Sequence, residues 1–177
     1  VIVAQTGASA LSFVNARGAS NIGVELEVRR NLSMFAPGLL PFTAFANATL
    51  MRSRIRPGND SLASNTSANR PMMGQAGYVV NAGLTYATPN GRLTATAMYN
   101  VVGRRIVEVG QLPLPDAYEL PRHVVDATVQ AQLGTRIALK LDSKNLLDAP
   151  YRVVQGSVTR LRYRAGRVFT LGVTLTP

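Results

Sequence analysis

The chain has 177 residues, enough for one domain, and it contains no cysteine. The absence of cysteine excludes a disulfide scaffold, a thiolate zinc site and thiol catalysis. No run of about 18 apolar residues occurs, so the sequence predicts no transmembrane helix. The formal charge is +10, but the arginines are dispersed along the chain rather than gathered in one basic tract. We therefore expect no nucleic-acid partner.

Period-two alternation of apolar and polar residues predicts seven β-strands and no helix. In the first strand, for example, Val24, Leu26 and Val28 alternate with glutamate and arginine. Successive strand side chains point to opposite faces, so each segment has one apolar face and one mostly polar face. In chain order we expect strands at about residues 12–34, 42–56, 75–88, 92–106, 122–133 and 136–146, followed by a last strand that ends at Pro177.

The connections between these strands alternate between short and long. Short turns, marked by proline, asparagine or glycine, are expected at residues 36–38, 89–91 and 134–135. Long connections are expected at about residues 57–74, 107–121 and 147–162. Short turns at one end and long loops at the other are typical of outer-membrane β-barrels, whose long loops lie outside the cell.

The alternative fold is a soluble β-sandwich, whose strands also alternate. The polar face favours the barrel, because Asp126, Gln130 and Lys140 are among many polar side chains that a wet lumen would solvate. A seven-stranded soluble sheet would also leave two open edges, which are an aggregation hazard. We therefore expect an all-β fold, in which the chain forms part of an antiparallel transmembrane β-barrel.

Seven short motifs follow one another along the predicted strands and their outer ends. They are Gly23-Val24-Glu25-Leu26-Glu27, Asn47-Ala48-Thr49-Leu50, Arg70-Pro71-Met72-Met73-Gly74-Gln75, Tyr99-Asn100-Val101-Val102-Gly103-Arg104-Arg105, Pro115-Asp116-Ala117-Tyr118-Glu119, Lys144-Asn145-Leu146-Leu147-Asp148 and Tyr163-Arg164-Ala165-Gly166-Arg167. In this order and spacing they resemble the C-terminal barrel region of TonB-dependent outer-membrane receptors. The resemblance covers essentially the whole chain, residues 1–177.

This resemblance implies a closed barrel of roughly 22 strands with a plugged lumen, of which this chain would supply about seven. It implies a bacterial outer-membrane location and uptake of a scarce nutrient such as a ferric siderophore, cobalamin, haem or an oligosaccharide. The implied partners are lipopolysaccharide, the receptor's own plug domain and the TonB complex, the last reached through a region upstream. The alternative is a passive channel or a structural barrel without energised transport.

Arginines and tyrosines at the predicted outer end are the candidate contacts for lipid and ligand. Arginine forks suit the phosphates of lipopolysaccharide, and the candidates for that contact are Arg52, Arg54, Arg104, Arg105, Arg162 and Arg164. The candidates for ligand binding in the loops are Arg70, Tyr118, Tyr151 and Arg152. The alternative is that charges collect at strand ends because they must avoid the hydrocarbon band.

Charged residues on the polar face are candidate contacts to a plug. These residues are Glu25, Glu27, Arg29, Asp126, Arg136, Lys140 and Asp142. The alternative is ordinary lumen polarity with cross-strand pairing. His123 is the one histidine and lies at a strand end without a second metal ligand nearby, so no metal site and no cofactor are expected. No catalytic set of residues occurs in the sequence, and we do not expect an enzyme.

Overall fold

The computed structural model describes residues 2–5, 8–11, 17–56 and 69–175. Within these ranges the regular elements are β-strands and two single turns of 3₁₀ helix, at Leu32–Met34 and Pro37–Leu39. The strands are β1 Ile2–Gln5, β2 Ala8–Leu11, β3 Gly18–Asn31, β4 Phe42–Arg56, β5 Tyr78–Ala87, β6 Leu93–Val102, β7 Arg105–Glu108, β8 Ala117–Glu119, β9 Arg122–Leu133, β10 Ile137–Lys144, β11 Tyr151–Gln155, β12 Val158–Tyr163 and β13 Val168–Leu175. No helix in the described ranges is long and apolar enough to cross a membrane.

Seven strands form one antiparallel sheet in the order β3-β4-β5-β6-β9-β10-β13, which we call the meander sheet. This arrangement confirms the seven predicted alternating strands, and β4 and β9 have the predicted bounds. The first strand is shorter than predicted: residues 12–16 lie outside the described ranges, and the chain leaves the strand after Asn31. In the described structure, β3 and β13 are the edges of the sheet.

The predicted long connections contain strands of their own, which the sequence interpretation missed. β7 and β8 form a first hairpin between β6 and β9. β11 and β12 form a second hairpin between β10 and β13. These four strands pair in the order β7-β8-β11-β12, which we call the hairpin sheet. The strand predicted at 92–106 extends too far, because β6 ends at Val102 and the next strand, β7, begins at Arg105 in the hairpin sheet. The last bond in the register of β5 and β6 is that of Gly103 N–H to Tyr78 O. The predicted connection at 57–74 falls largely outside the described residues.

The register of the meander sheet gathers its apolar side chains on one face, which we call the apolar face. One row across four strands shows the alignment: Leu26 pairs with Ala48, Ala48 with Val80, and Val80 with Val101. The apolar face is uncovered over much of its area, since Leu26 is 63% exposed and Leu171 on β13 is 69% exposed. Alternation therefore produces a sheet whose apolar face is not covered by a second layer within the part of the chain that the structure describes.

The opposite face is less uniformly polar than the sequence predicted. Phe45 and Met98 lie on it, on either side of Gly83 in one cross-strand row. A side chain on Gly83 would occupy the space of the Phe45 ring, so the ring covers the glycine backbone. Arg29 in turn lies over the Phe45 ring, 5.8 Å from its centre. Packing of an aromatic ring on a strand glycine explains why an apolar residue sits on this face.

The buried apolar side chains of the described residues lie in and around the hairpin sheet rather than beneath the meander sheet. They are Val101, Ile106, Ala117, Ala149 and Val153. Ile106 and Ala117 are almost completely enclosed, at 1% and 0% exposure. The buried apolar side chains therefore concentrate at the end of the meander sheet where the long connections meet.

Replacing Gly83 with alanine is expected to destabilise the protein by about 1–3 kcal/mol, because the new methyl group collides with the Phe45 ring and lies 2.9 Å from Ala97 O. Gly172→Ala is the matched control, since its nearest contact would be an ordinary 3.8 Å from Lys140. Denaturant unfolding of the two variants measures the difference. Equal unfolding midpoints would show that Phe45 does not pack on Gly83.

Candidate functional site

The hairpin sheet is built from two connections that are far apart in the sequence. β8 and β11 join them through three residue pairs, with Tyr118 opposite Val154 at the centre. Leu120 N also donates to Arg152 O, 3.0 Å away. This short seam carries the tertiary contact between the two hairpins. It lies at the end of the meander sheet opposite the connections predicted as short turns. The turns at 89–91 and 134–135 are confirmed, whereas residues 36–38 lie within a ten-residue connection, 32–41, that contains the two 3₁₀ turns.

Glu119 on β8 is bonded by side chains from both hairpins. Arg105 Nε and Nη2 donate to Glu119 Oε2 at 2.9 and 2.7 Å, and the carboxylate side chain is only 14% exposed. Tyr151 on β11 donates its hydroxyl to the same oxygen at 3.4 Å. Burial, and then the negative charge of Glu119, raise the pKa of Tyr151 above its ordinary value of 10.0.

Asp116 caps the loop that joins β7 to β8. It is 6% exposed, and its Oδ1 accepts the backbone N–H of Gly110 at 2.7 Å. Any side chain on Gly110 would collide with the backbone of Leu114 and Pro115, so the loop requires glycine there. Gln155 of the second hairpin donates to Pro115 O at 2.7 Å. Asp116 thus fixes the loop surface against which the other hairpin packs.

An ion pair joins the two edge strands of the hairpin sheet. Arg160 on β12 donates from Nη1 to Glu108 Oε2 on β7 at 2.8 Å. Because β12 and β7 are at opposite edges of the four strands, the sheet must curl for these side chains to meet. Each of these strands has one extra residue in the register, Val107 on β7 and Arg160 on β12, and such β-bulges supply the curvature.

Asn145 forms the corner where β10 leaves the meander sheet. Its φ of 55° lies in the left-handed region that asparagine tolerates better than most residues. Its N–H donates to Asp126 Oδ1 at 2.8 Å, and its Nδ2 donates to Gly166 O at 2.7 Å. Nearby, Arg164 donates to the carbonyl and the carboxylate of Asp148. The motif Lys144–Asp148 therefore has a structural role in orienting the second hairpin.

The predicted outer arginines do occur at this end, but they fall into different environments. Arg52 and Arg54 are exposed on the apolar face just beyond Leu50. Arg105 and Arg164 are held in the ion pairs described above, so their charges are already partly neutralised. Arg70 is half-buried beside Ile55, and within the described residues its Nε has no hydrogen-bond partner.

The remaining predicted side chains of this end come together in the hairpin sheet. Arg104 lies over the Tyr118 ring, with its guanidinium carbon 3.6 Å from the ring centre. Arg152 and Arg162 are directly opposite each other on β11 and β12. Tyr151 packs against Tyr163, with ring centres 5.0 Å apart.

The polar face of the meander sheet is crossed by hydrogen-bonded side chains. Asn100 donates to Asn81 at 2.6 Å, Asn81 to Asn47 at 3.4 Å, and Asn47 to Glu25 at 2.8 Å. These bonds run across four neighbouring strands. Cross-strand pairing of this kind is the alternative that the sequence left open for the charged residues of this face.

The other predicted residues of the polar face are placed as follows. Asp142 accepts from Thr128 at 2.8 Å and pairs with Lys140 at 3.0 Å. Glu27 and Arg29 lie on β3, and Asp126 bonds the corner asparagine. Arg136 lies in the turn before β10, which begins one residue later than predicted.

His123 lies near the start of β9, as the sequence predicted, and contacts an aromatic side chain. Its Nδ1 is 2.6 Å from Tyr99 Oη on the neighbouring strand. Asp126 is on the opposite face of the sheet from His123. In the part of the chain that the structure describes, no three His, Asp or Glu side chains are grouped so that they could hold a metal ion.

Replacing Asp116 with alanine is expected to cost about 1–3 kcal/mol, because the buried N–H of Gly110 loses its acceptor. Asp116→Asn is the control, since it keeps an acceptor oxygen at the same position. Denaturant unfolding together with amide exchange at Gly110 measures the effect. Full protection of that amide in the alanine variant would contradict the capping role.

The raised pKa of Tyr151 predicts a loss of stability at high pH. The folded state holds the phenol proton more tightly than the unfolded state, so this contribution is complete below pH 10 and is lost as the pH rises above it. Unfolding measured from pH 8 to pH 11 in wild type and Tyr151→Phe is expected to converge as the pH rises. A pH-independent difference between the two proteins would show that Tyr151 titrates normally.

No protein-family model, curated protein or solved structure gives a significant match to the chain. The comparisons therefore show no family for it. The likeness to TonB-dependent receptors rests on the sequence motifs alone. The geometry adds an uncovered apolar face, a hydrogen-bonded polar face and a folded hairpin sheet at one end.

Proposed function

We propose that this chain is the C-terminal part of the β-barrel of a TonB-dependent outer-membrane receptor, which takes up a scarce nutrient. The observation that carries the proposal is the uncovered apolar face of the meander sheet, with large apolar side chains exposed on six of its seven strands, for example Leu26, Leu50 and Leu171. In water such a face would be an aggregation hazard, whereas in a bilayer it is the surface that contacts lipid. The polar face would then line the lumen.

The arginines next to this face support the same orientation. Arg52 and Arg54 continue the apolar row of β4 beyond Leu50, on the same side of the sheet. They lie at the end that carries the long connections, which is the outer end of a bacterial barrel. Guanidinium groups at that height would contact the phosphates of lipopolysaccharide.

The hairpin sheet favours a receptor over the alternative, which is a passive channel or a structural barrel without energised transport. Two long connections pack on each other through the pairing of β8 with β11 and the Glu119 contacts. A folded surface at the outer end can bind a specific ligand, because its side chains are held in place before the ligand arrives. The nutrient classes remain ferric siderophore, cobalamin, haem or oligosaccharide.

Single cysteines introduced at the two ends of the sheet test the membrane-spanning orientation in intact cells. The native chain has no cysteine, so each label reports one site. Ser157→Cys, in the turn between β11 and β12, is expected to react with a membrane-impermeant maleimide. Thr135→Cys, in the short turn between β9 and β10, is expected to react only after the outer membrane is permeabilised. Equal labelling of both sites in intact cells would contradict the orientation.

Uptake separates the receptor from the passive barrel. Cells that express the whole protein are expected to accumulate one of the four nutrient classes, and a protonophore is expected to abolish that accumulation. Accumulation that survives the protonophore would favour the passive channel. No accumulation of any tested class would favour the structural barrel.

A further inference from the structure

Two arginines of the second hairpin face each other, and no acidic side chain of the described residues lies between them. Arg152 on β11 and Arg162 on β12 are direct partners in the register, and both are exposed. Side chains in such positions have Cβ atoms roughly 4.5–5.5 Å apart, and like charges there destabilise the strand pair. A repulsive pair on an otherwise well-bonded sheet indicates that an anion belongs between the two side chains.

The acidic residues of the two hairpins are already engaged elsewhere. Each of the four carboxylates has another partner: Glu108 with Arg160, Asp116 with Gly110, Glu119 with Arg105, and Asp148 with Arg164. Alternation along β11 also places Arg152 on the side opposite Tyr151, and therefore away from Glu119. Within the described residues, no carboxylate neutralises the facing pair.

A third arginine lies on the same side of the sheet. Tyr118 is opposite Val154, two residues along the strand from Arg152, so both side chains point to one face. The guanidinium of Arg104 stacks on the Tyr118 ring at 3.6 Å. Stacking holds the plane of the guanidinium while its N–H edges remain able to donate to an anion.

We propose that Arg104, Arg152 and Arg162 form a binding site for a multivalent oxyanion, that is, a ligand with several phosphate or carboxylate oxygens. Arginine forks bind such groups through paired, charge-assisted hydrogen bonds, and the ligand would relieve the repulsion between Arg152 and Arg162. The proposal deepens the proposed function, since it names the chemistry of the ligand at the outer surface, and it rests on that function for the side from which the ligand arrives.

Inorganic pyrophosphate is the probe, added to the whole protein purified in detergent. Calorimetry is expected to show binding that weakens by at least about tenfold in the double variant Arg152→Gln/Arg162→Gln. Arg92→Gln/Arg136→Gln is the matched control, because it removes the same two positive charges in turns at the other end of the sheet. Without pyrophosphate, Arg152→Gln and Arg162→Gln, each made singly, are expected to unfold at the same temperature as wild type or higher, because each removes the repulsion between the two arginines.

Binding by Arg152→Gln/Arg162→Gln within twofold of wild type would overturn the site, and so would an equal loss of binding in Arg92→Gln/Arg136→Gln. A lower melting temperature of these single variants without ligand would contradict the repulsion between the two arginines, and with it the argument for an anion between them. Micelles that contain lipid A phosphates form a second arm, and a response to these alone would assign the oxyanion to a lipid headgroup. The maleimide labelling that tests the orientation does not depend on these arginines, so the two proposals fail separately.

Discussion

The two-residue period of the strands, kept in register across seven neighbours, is the constraint on which the rest of the structure depends. A shift of one residue between two strands would exchange the apolar and polar sets of one of them. In the row Leu26, Ala48, Val80 and Val101, for example, the shifted strand would place a residue of the opposite face between apolar neighbours. Instead the register keeps the apolar side chains together and leaves Asn47, Asn81 and Asn100 on the other side to bond each other.

This constraint also decides where stability resides. A single sheet layer buries few side chains, so the meander sheet depends on its backbone ladder, its polar side-chain bonds and the environment that covers its apolar face. The hairpin sheet differs, because it buries apolar side chains on both faces, Ala117 and Val153 on one and Ile106, opposite Tyr118, on the other. Glu119 and Asp116 add hydrogen bonds that are shielded from water. The bond of Glu119 with Tyr151 joins the two hairpins, whereas that of Asp116 with Gly110 lies within the loop between β7 and β8.

The strands of the meander sheet could be predicted from the sequence because each carries its own alternation. β4 and β9 are long enough for the period to fix both ends. The hairpin sheet could not be predicted, since β8 has three residues and follows Pro113 and Pro115, which are typical of a loop. The contact between Glu119 and Tyr151 depends on pairing between separate connections, for which no local pattern exists.

The candidate site was predicted in composition but not in arrangement. Arg104, Arg152 and Arg162 were identified as exposed outer residues, yet only the register shows that two of them face each other. Asp116 and Asn145 have ordinary loop composition, and their roles appear only once the partner segments are in place. Side-chain partners across strands are set by tertiary pairing, so the sequence alone leaves them open.

The central claim is that the two faces of the meander sheet lie in different solvents. Spin labels placed singly from Leu93 to Val102 on β6, in the whole protein in bilayers, test it through collisions with oxygen, which concentrates in lipid, and with a water-soluble nickel chelate. The account predicts strict alternation, with Ala95, Ala97 and Tyr99 accessible to oxygen and Thr94, Thr96 and Asn100 to the chelate. Apolar-face labels that reach neither reagent would contradict it and would indicate a face covered by protein, as in a soluble sandwich.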